Sequence, residues 1–479
     1  MSTAYTIAAE EWRYWSRTKL GAVVAMLALI LVCISVFSSW SQQANEKATR
    51  ESLQIKAEET FRSQPDRHPH RMVHYGHYVF RTPTALATLD PGVDPYTGTV
   101  IFLEGHRQNT AAFSLSYDGA QAGPFSRLTP ALAYQLLVPL VLIVMGFGMV
   151  SREREAATDR QLVTSGISPL SIWFGKTLAL LAVAALMLIP MLIGVALSQS
   201  VASLGLGFFA LYAMYLLTWV LIISGVSTWS RSTSVSLLLL LSLWTVLCVL
   251  SPRLVASTAS SSVPTQSQIE TDMNVLVAKR GMADSHNASD PAFEKLKAKL
   301  LEKYQVERVE DLPVNFRGAV SRVGEADTAV ILNEHAEMRM ANQVAQTDFV
   351  KSLEFISPFL ILQSASMVAA GTDGKTHHRF LREAEAVRFE FVQGLNKTHE
   401  EKLSYADDIN RSNDEASNRR ARVSAENWGV LNDFRFAADP AASRLKRLGQ
   451  SFIAIFVWML IFAFIGFMGA RRLPETDHG

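Results

Sequence analysis

The histidines are the residues whose type and placement first suggest chemistry. Ten of the eleven lie within residues 41–130 and 253–447, and His68, His70, His74 and His77 form an HxHxxxHxxH run. Neutral imidazoles bind zinc and copper, which makes these four candidate metal ligands. Their spacing matches no specific metal signature, and no neighbouring cysteine or carboxylate completes a ligand set, so the expectation is a chain without a metal or cofactor of its own. His335-Ala336-Glu337-Met338-Arg339-Met340 offers His and Met donors but is not the HExxH of a metallopeptidase. His377-His378 is as unspecific. Gly175-Lys176-Thr177 imitates the end of a phosphate-binding loop, yet Leu170 stands where its first glycine is required and an apolar run follows directly. No Gly-x-Ser-x-Gly nucleophile turn occurs, and nothing sustains a nucleic-acid partner.

The elements that must carry these residues are set by hydropathy. Six runs, 20–40, 131–150, 177–199, 206–229, 232–252 and 448–470, contain no Lys, Arg, Asp, Glu or His. Each is long enough to cross about 30 Å of hydrocarbon at about 1.5 Å per helical residue. The first exceeds the core of a secretory signal and reads as a retained anchor. Arg13, Arg17 and Lys19 precede the first run, Arg152, Arg154, Arg160 and Lys176 fill the gap after the second, Arg231 follows the fourth, and Arg471-Arg472 follow the last. Positive flanks mark the cytoplasmic side. The expected protein is an α-helical polytopic membrane protein with both termini cytoplasmic and six transmembrane helices. Residues 41–130 then form a first external domain, partly β, and 253–447 a second, mainly α. The two cysteines, Cys33 and Cys248, fall inside runs, so these domains carry no disulfide.

Between the second and third runs lies Ser151–Lys176, SREREAATDRQLVTSGISPLSIWFGK, charged yet helix-capable, with Leu162, Val163, Ile167 and Ile172 giving it an apolar side. Its layout is an acidic and basic helix start, Thr158, Leu162, a Ser-Gly-x-Ser-Pro turn and Gly175-Lys176 opening a new span. That layout resembles the ABC-2 type transporter permeases, with Ala157-Thr158-Asp159 where the family usually has Gly-Thr-Leu. Asp94–Asn109, DPYTGTVIFLEGHRQN, and the pattern from Ser357-Pro358 through Gly371-Thr372-Asp373 to Phe380 resemble the subgroup with large periplasmic insertions. The resemblance implies that 151–176 couples the chain to a separate cytoplasmic ABC ATPase dimer, which binds the ATP and Mg. It implies docking through Arg152, Glu153, Glu155, Thr158, Arg160 and Leu162, beside a second permease copy or related permease. The implied function is export across the bacterial inner membrane, which would make both external domains periplasmic. The rival is ATP-driven mechanotransmission or envelope assembly on a periplasmic partner without translocation. A third reading is metal delivery through the external histidines.

The remaining stretches give local expectations. Residues 4–19 suit an interfacial helix on membrane lipid, and 42–62 continues the first span as a helix outside the bilayer. VHYGHYVF, TVIFLEG and AAFSLSY read as strands separated by turns, and STASSSVPTQSQ at 257–268 as a linker. Phe380, Ala384, Val387, Phe391 and Leu395 form one helical stripe. Residues 355–371 are too short to cross and read as an interfacial, reentrant or core helix. A cytoplasmic tail, 471–479, closes the chain.

Overall fold

The computed structural model describes residues 3–112, 128–430 and 433–473. Two helices open the chain, α1 (Thr3–Thr18) and α2 (Leu20–Arg62), followed by a short α3 (Pro69–Tyr75) and an antiparallel pair, β1 (His77–Phe80) and β2 (Val100–Leu103). Four apolar helices come next: α4 (Pro130–Glu155), then α6 (Pro169–Leu197), α7 (Ala202–Trp229) and α8 (Thr233–Ser262), with a short α5 (Thr158–Thr164) between the first two. The second insertion brings α9 (Gln268–Lys279), α10 (Glu294–Tyr304), α11 (Phe316–Leu353), α12 (Pro358–Ala370) and α13 (Gly374–Lys402), and α14 (Ala441–Arg471) ends the fold. Helices α2, α4, α6, α7, α8 and α14 are long and apolar enough to span a membrane.

Helix α7 is the centre of the bundle, with Phe208, Tyr212, Tyr215 and Trp219 wholly buried. Inside lipid the hydrophobic effect gives no net attraction between helices, so close packing and polar contacts must hold them. Tyr134 shows how. Pro190 deprives α6 of one backbone donor, and there the Tyr134 hydroxyl donates to Met187 O at 2.5 Å and accepts from Met191 N at 3.1 Å. The side chain thus fills the broken ladder. π-Helical turns at Ala133–Leu137 and Thr245–Leu250 interrupt α4 and α8. Helix α12 buries Phe359, Ile361, Leu362, Ala365 and Val368 in the same core as the spans. Residues 358–370 thus pack into the core of the bundle, anchored by Ser357 Oγ donating to Leu247 O at 2.7 Å.

The two insertions, separate in sequence, share one hydrophobic core. Phe61, Met72, Val79 and Ile101 from the first pack with Phe380, Phe391, Leu395 and Trp428 from the second. Trp428 donates its indole N–H to Gln64 O at 2.9 Å across the same boundary. Helix α2 continues unbroken for 43 residues, about 64 Å at the helical rise, and delivers Phe61 into that core. Four of the five residues of the 380–395 stripe are buried there, and Val387 packs against it.

Two local expectations change. VHYGHYVF is not a strand throughout: residues 73–75 close α3, and the strand begins at His77. Gly76 makes the break at φ 69°, where an added Cβ would strike the Phe102 ring at 2.2 Å. Of the third strand-like piece, Ala112 bridges to Val100, and 113–117 lie outside the described residues. The supposed linker is helical through Ser262, because α8 runs on with Val255 and Ala259 buried until Pro264 stops it.

Candidate functional site

The segment expected to couple, 151–176, leaves α4 at Ser151–Glu155 and crosses α5 before Ser168 caps α6 by accepting from Ser171 N. It is held by four charges. Glu11 of α1 accepts from Arg152 at 3.0 Å and from Lys176 Nζ at 2.9 Å, and Lys176 also reaches Glu153 at 2.6 Å. Thr158 Oγ1 donates to the same Glu153 carboxylate at 2.5 Å. The Arg152 guanidinium lies over the Tyr14 ring, 3.6 Å from its centroid. Helix α1 can approach this closely because Gly175 has no Cβ; one would meet Ala4 O at 2.6 Å. Lys176 and Glu11 are nearly fully buried, so each needs the other's charge to offset lost hydration.

The six residues expected to dock divide into two groups. Arg152, Glu153 and Thr158 belong to the internal network. Glu155 faces outward but accepts from Thr233 N at 3.0 Å and Thr233 Oγ1 at 2.8 Å, bracing the start of α8. Leu162 is half-buried, and Arg160 is exposed beside Gln161 and Thr164. Sequence reasoning missed Glu11 and Lys176 as partners; the signal was a single ammonium at the mouth of an apolar run.

At the other end of the bundle, Asp90 joins the insertion to the spans. Its carboxylate accepts from Ser366 Oγ and from Gly92 N, and its carbonyl accepts from Thr372 Oγ1 at 3.0 Å. Ser366 in turn meets the Tyr212 hydroxyl at 2.8 Å. Burial pushes the Asp90 carboxyl above the ordinary range, only partly opposed by the Ser366 and Gly92 hydrogen bonds.

The HxHxxxHxxH run is dispersed by α3 and the turn at Gly76. His68 caps α3, its Nδ1 accepting from His70 N at 3.1 Å while Nε2 meets Asp408 at 3.1 Å. His399 Nε2 meets the other Asp408 oxygen at 2.8 Å, and Asn315, Arg317 and Arg411 surround the same carboxylate. Burial opposes its charge, but the His399 and His68 hydrogen bonds win and hold Asp408 far below the usual carboxylate range. His77 is alone between Gln54 and Phe61, and burial lowers its pKa to about 4.

His70 and His74 instead meet His106 and His286, residues that the sequence reading did not join to them. One nitrogen of each lies within 4.8 Å of those of the other three. His70 and His74 approach Nε2 to Nε2 at 3.2 Å. His106 follows β2 at φ 64°, and its Nδ1 and backbone N both bond Glu325 Oε2, at 2.9 and 3.1 Å. Glu325 Oε1 accepts from Arg388 at 2.6 Å, and Arg388 is held from the other side by Glu385. Burial would raise Glu325, but the His106 hydrogen bond and the Arg388 charge reverse this and leave it lowered. His286, on the loop after α9, was beyond sequence reasoning because 180 residues separate it from His106.

No curated protein matches this chain. Residues 265–437, which contain His286, Glu325, Arg388, His399 and Asp408 but none of the six apolar helices, match the family described as Domain of unknown function (DUF3526).

Proposed function

We propose that the chain is the membrane subunit of an ATP-driven ABC-2 type exporter of the bacterial inner membrane, worked by a separate cytoplasmic ATPase dimer and paired with a second permease. The observation that carries this reading is the Glu11–Arg152–Glu153–Lys176 network. It ties α1, the coupling segment and the start of α6 into one body, so force applied to α5 reaches two spans at once. The exposed side chains Arg160, Gln161 and Thr164 are the docking face. Glu153 has an internal role, holding Lys176 in place. A partner shifts the permease only by gripping one of its states more strongly, so the ATP-bound and ATP-free dimers must hold α5 differently.

A second reading, mechanical work on an envelope partner without translocation, is favoured by α2. One continuous helix joins the bundle to the core shared by the insertions, a geometry suited to carrying motion outward. Co-purification from native membranes tests the shared premise. An ATPase should accompany the wild type and be lost from Arg160→Glu, with both proteins equally inserted. An inserted wild type that brings no ATPase under several mild detergents contradicts both readings. ATP-dependent substrate movement in sealed vesicles then selects export, and ATP-dependent partner release without movement selects mechanics.

A further inference from the structure

We propose that His70, His74, His106 and His286 bind one divalent transition-metal ion of the Zn2+ or Cu2+ class, which fastens the loop after α9 onto the first insertion. Three ligands come from 69–106 and the fourth from the second insertion, so the ion would close a contact between segments far apart in sequence. This inference does not rest on the transporter reading.

The donor chemistry supports it. Imidazole nitrogens suit Zn2+ and Cu2+, and four of them complete a tetrahedral or tetragonal set. His106 has the arrangement typical of a metal-ligating histidine: its Nδ1 faces the buried Glu325 carboxylate at 2.9 Å, which fixes the proton there and leaves Nε2 as the donor. That Nε2 is buried without a hydrogen-bond partner. Orphaned nitrogens are costly, and a metal ion would satisfy one on each ring it binds.

The geometry is close to what coordination needs. Four nitrogens about 2.0 Å from a tetrahedral ion stand roughly 3.3 Å apart. His70 and His74 are at 3.2 Å, and the whole set lies within 4.8 Å. His74 and His286 are exposed and can close the remaining gap by side-chain rotation. The surrounding charges do not repel a cation: Glu104, Glu325 and Glu385 stand against Arg107, Lys279 and Arg388. A cavity of about 50 Å3 adjoins the cluster, lined by His70 and His286 and, on its far side, by His68, His399, Arg317 and Arg411.

The neighbouring His68–Asp408–His399 group does not qualify, although its atoms are as close together. Both nitrogens of His68 are already hydrogen-bonded, and Arg317 and Arg411 neutralise the carboxylate. It is a structural hub.

The test uses the full chain in detergent, purified through a tag without histidines, stripped with chelator and titrated with Zn2+ and then Cu2+. The wild type should bind one equivalent. His74→Ala/His286→Ala should weaken binding at least about tenfold, and His286→Ala alone, on an exposed loop, should weaken it less. His335→Ala should bind as the wild type does. X-ray absorption of the zinc form should show nitrogen ligands near 2.0 Å. The proposal is overturned if the stripped wild type, monodisperse by gel filtration, takes up no metal at micromolar concentrations. It is equally overturned if the double variant binds one equivalent with unchanged affinity.

Discussion

The two ends of this molecule handle buried polar groups in opposite ways. At the end carrying the termini, Glu11, Arg152, Glu153 and Lys176 set two anions against two cations, and each has a partner within the chain. In the insertions, four imidazoles converge while His70 Nδ1 and His106 Nε2 are left buried without partners. A saturated network is a rigid joint, and a partner recognises what lies outside it. An unsaturated cluster has donor capacity to spare, which is the condition for taking up a ligand. The contrast places Glu153 in the joint, and under the proposed function leaves the exposed Gln161 and Thr164 for a docking face.

Four experiments test this contrast, beginning with the frame that carries the cluster. Phe61→Ala empties a fully buried site between the insertions and should cost about 3–5 kcal/mol. Limited proteolysis should then cut 253–447 faster while the spans stay intact. Lys176→Met tests the saturated network by leaving the buried Glu11 and the half-buried Glu153 with one guanidinium, at a cost of about 3 kcal/mol. Thermal unfolding in detergent should fall accordingly, and an unchanged midpoint would show that the four charges are not a joint.

The third effect is a pH dependence. His77 has a folded pKa of about 4 against the ordinary 6.5, so the unfolded chain binds the extra proton between those values. Its contribution to stability is complete above about pH 6.5 and declines as pH falls toward 4. Between pH 7.5 and 5 the wild type should therefore lose about 2 kcal/mol more than His77→Gln. Equal losses would mean that His77 is not held neutral by burial. Smallest of all, His286→Ala in metal-free protein should change stability by less than about 0.5 kcal/mol, since its ring is exposed. With Zn2+ present, the wild type should gain more stability than the variant.

The spans were legible because hydrocarbon permits no ionisable run and sets a minimum length; none of the six apolar runs overshoots its long helix by more than two residues. The continuation of α2 past Trp40 was legible from its helical stripe, which ends at Phe61. What could not be read were pairings that only the fold creates. Glu11 and Lys176 are 165 residues apart, and His106 meets His286 across 180. The histidine run was misleading for a local reason: Gly76 and the end of α3 turn His77 away from His74. The polar Ser/Thr stretch at 257–268 looked like a linker by composition, yet the buried Val255 and Ala259 keep α8 helical through Ser262.

The most direct test of the functional reading places a photo-crosslinking residue at position 161, on the face outside the ion-pair network, and another at 294 on the second insertion as a control. In native membranes the account predicts that 161 captures a nucleotide-hydrolysing subunit, with a yield that changes on adding ATP, and that 294 does not. Capture of no such subunit at 161 by a correctly inserted protein, or equal capture at both positions, would contradict it.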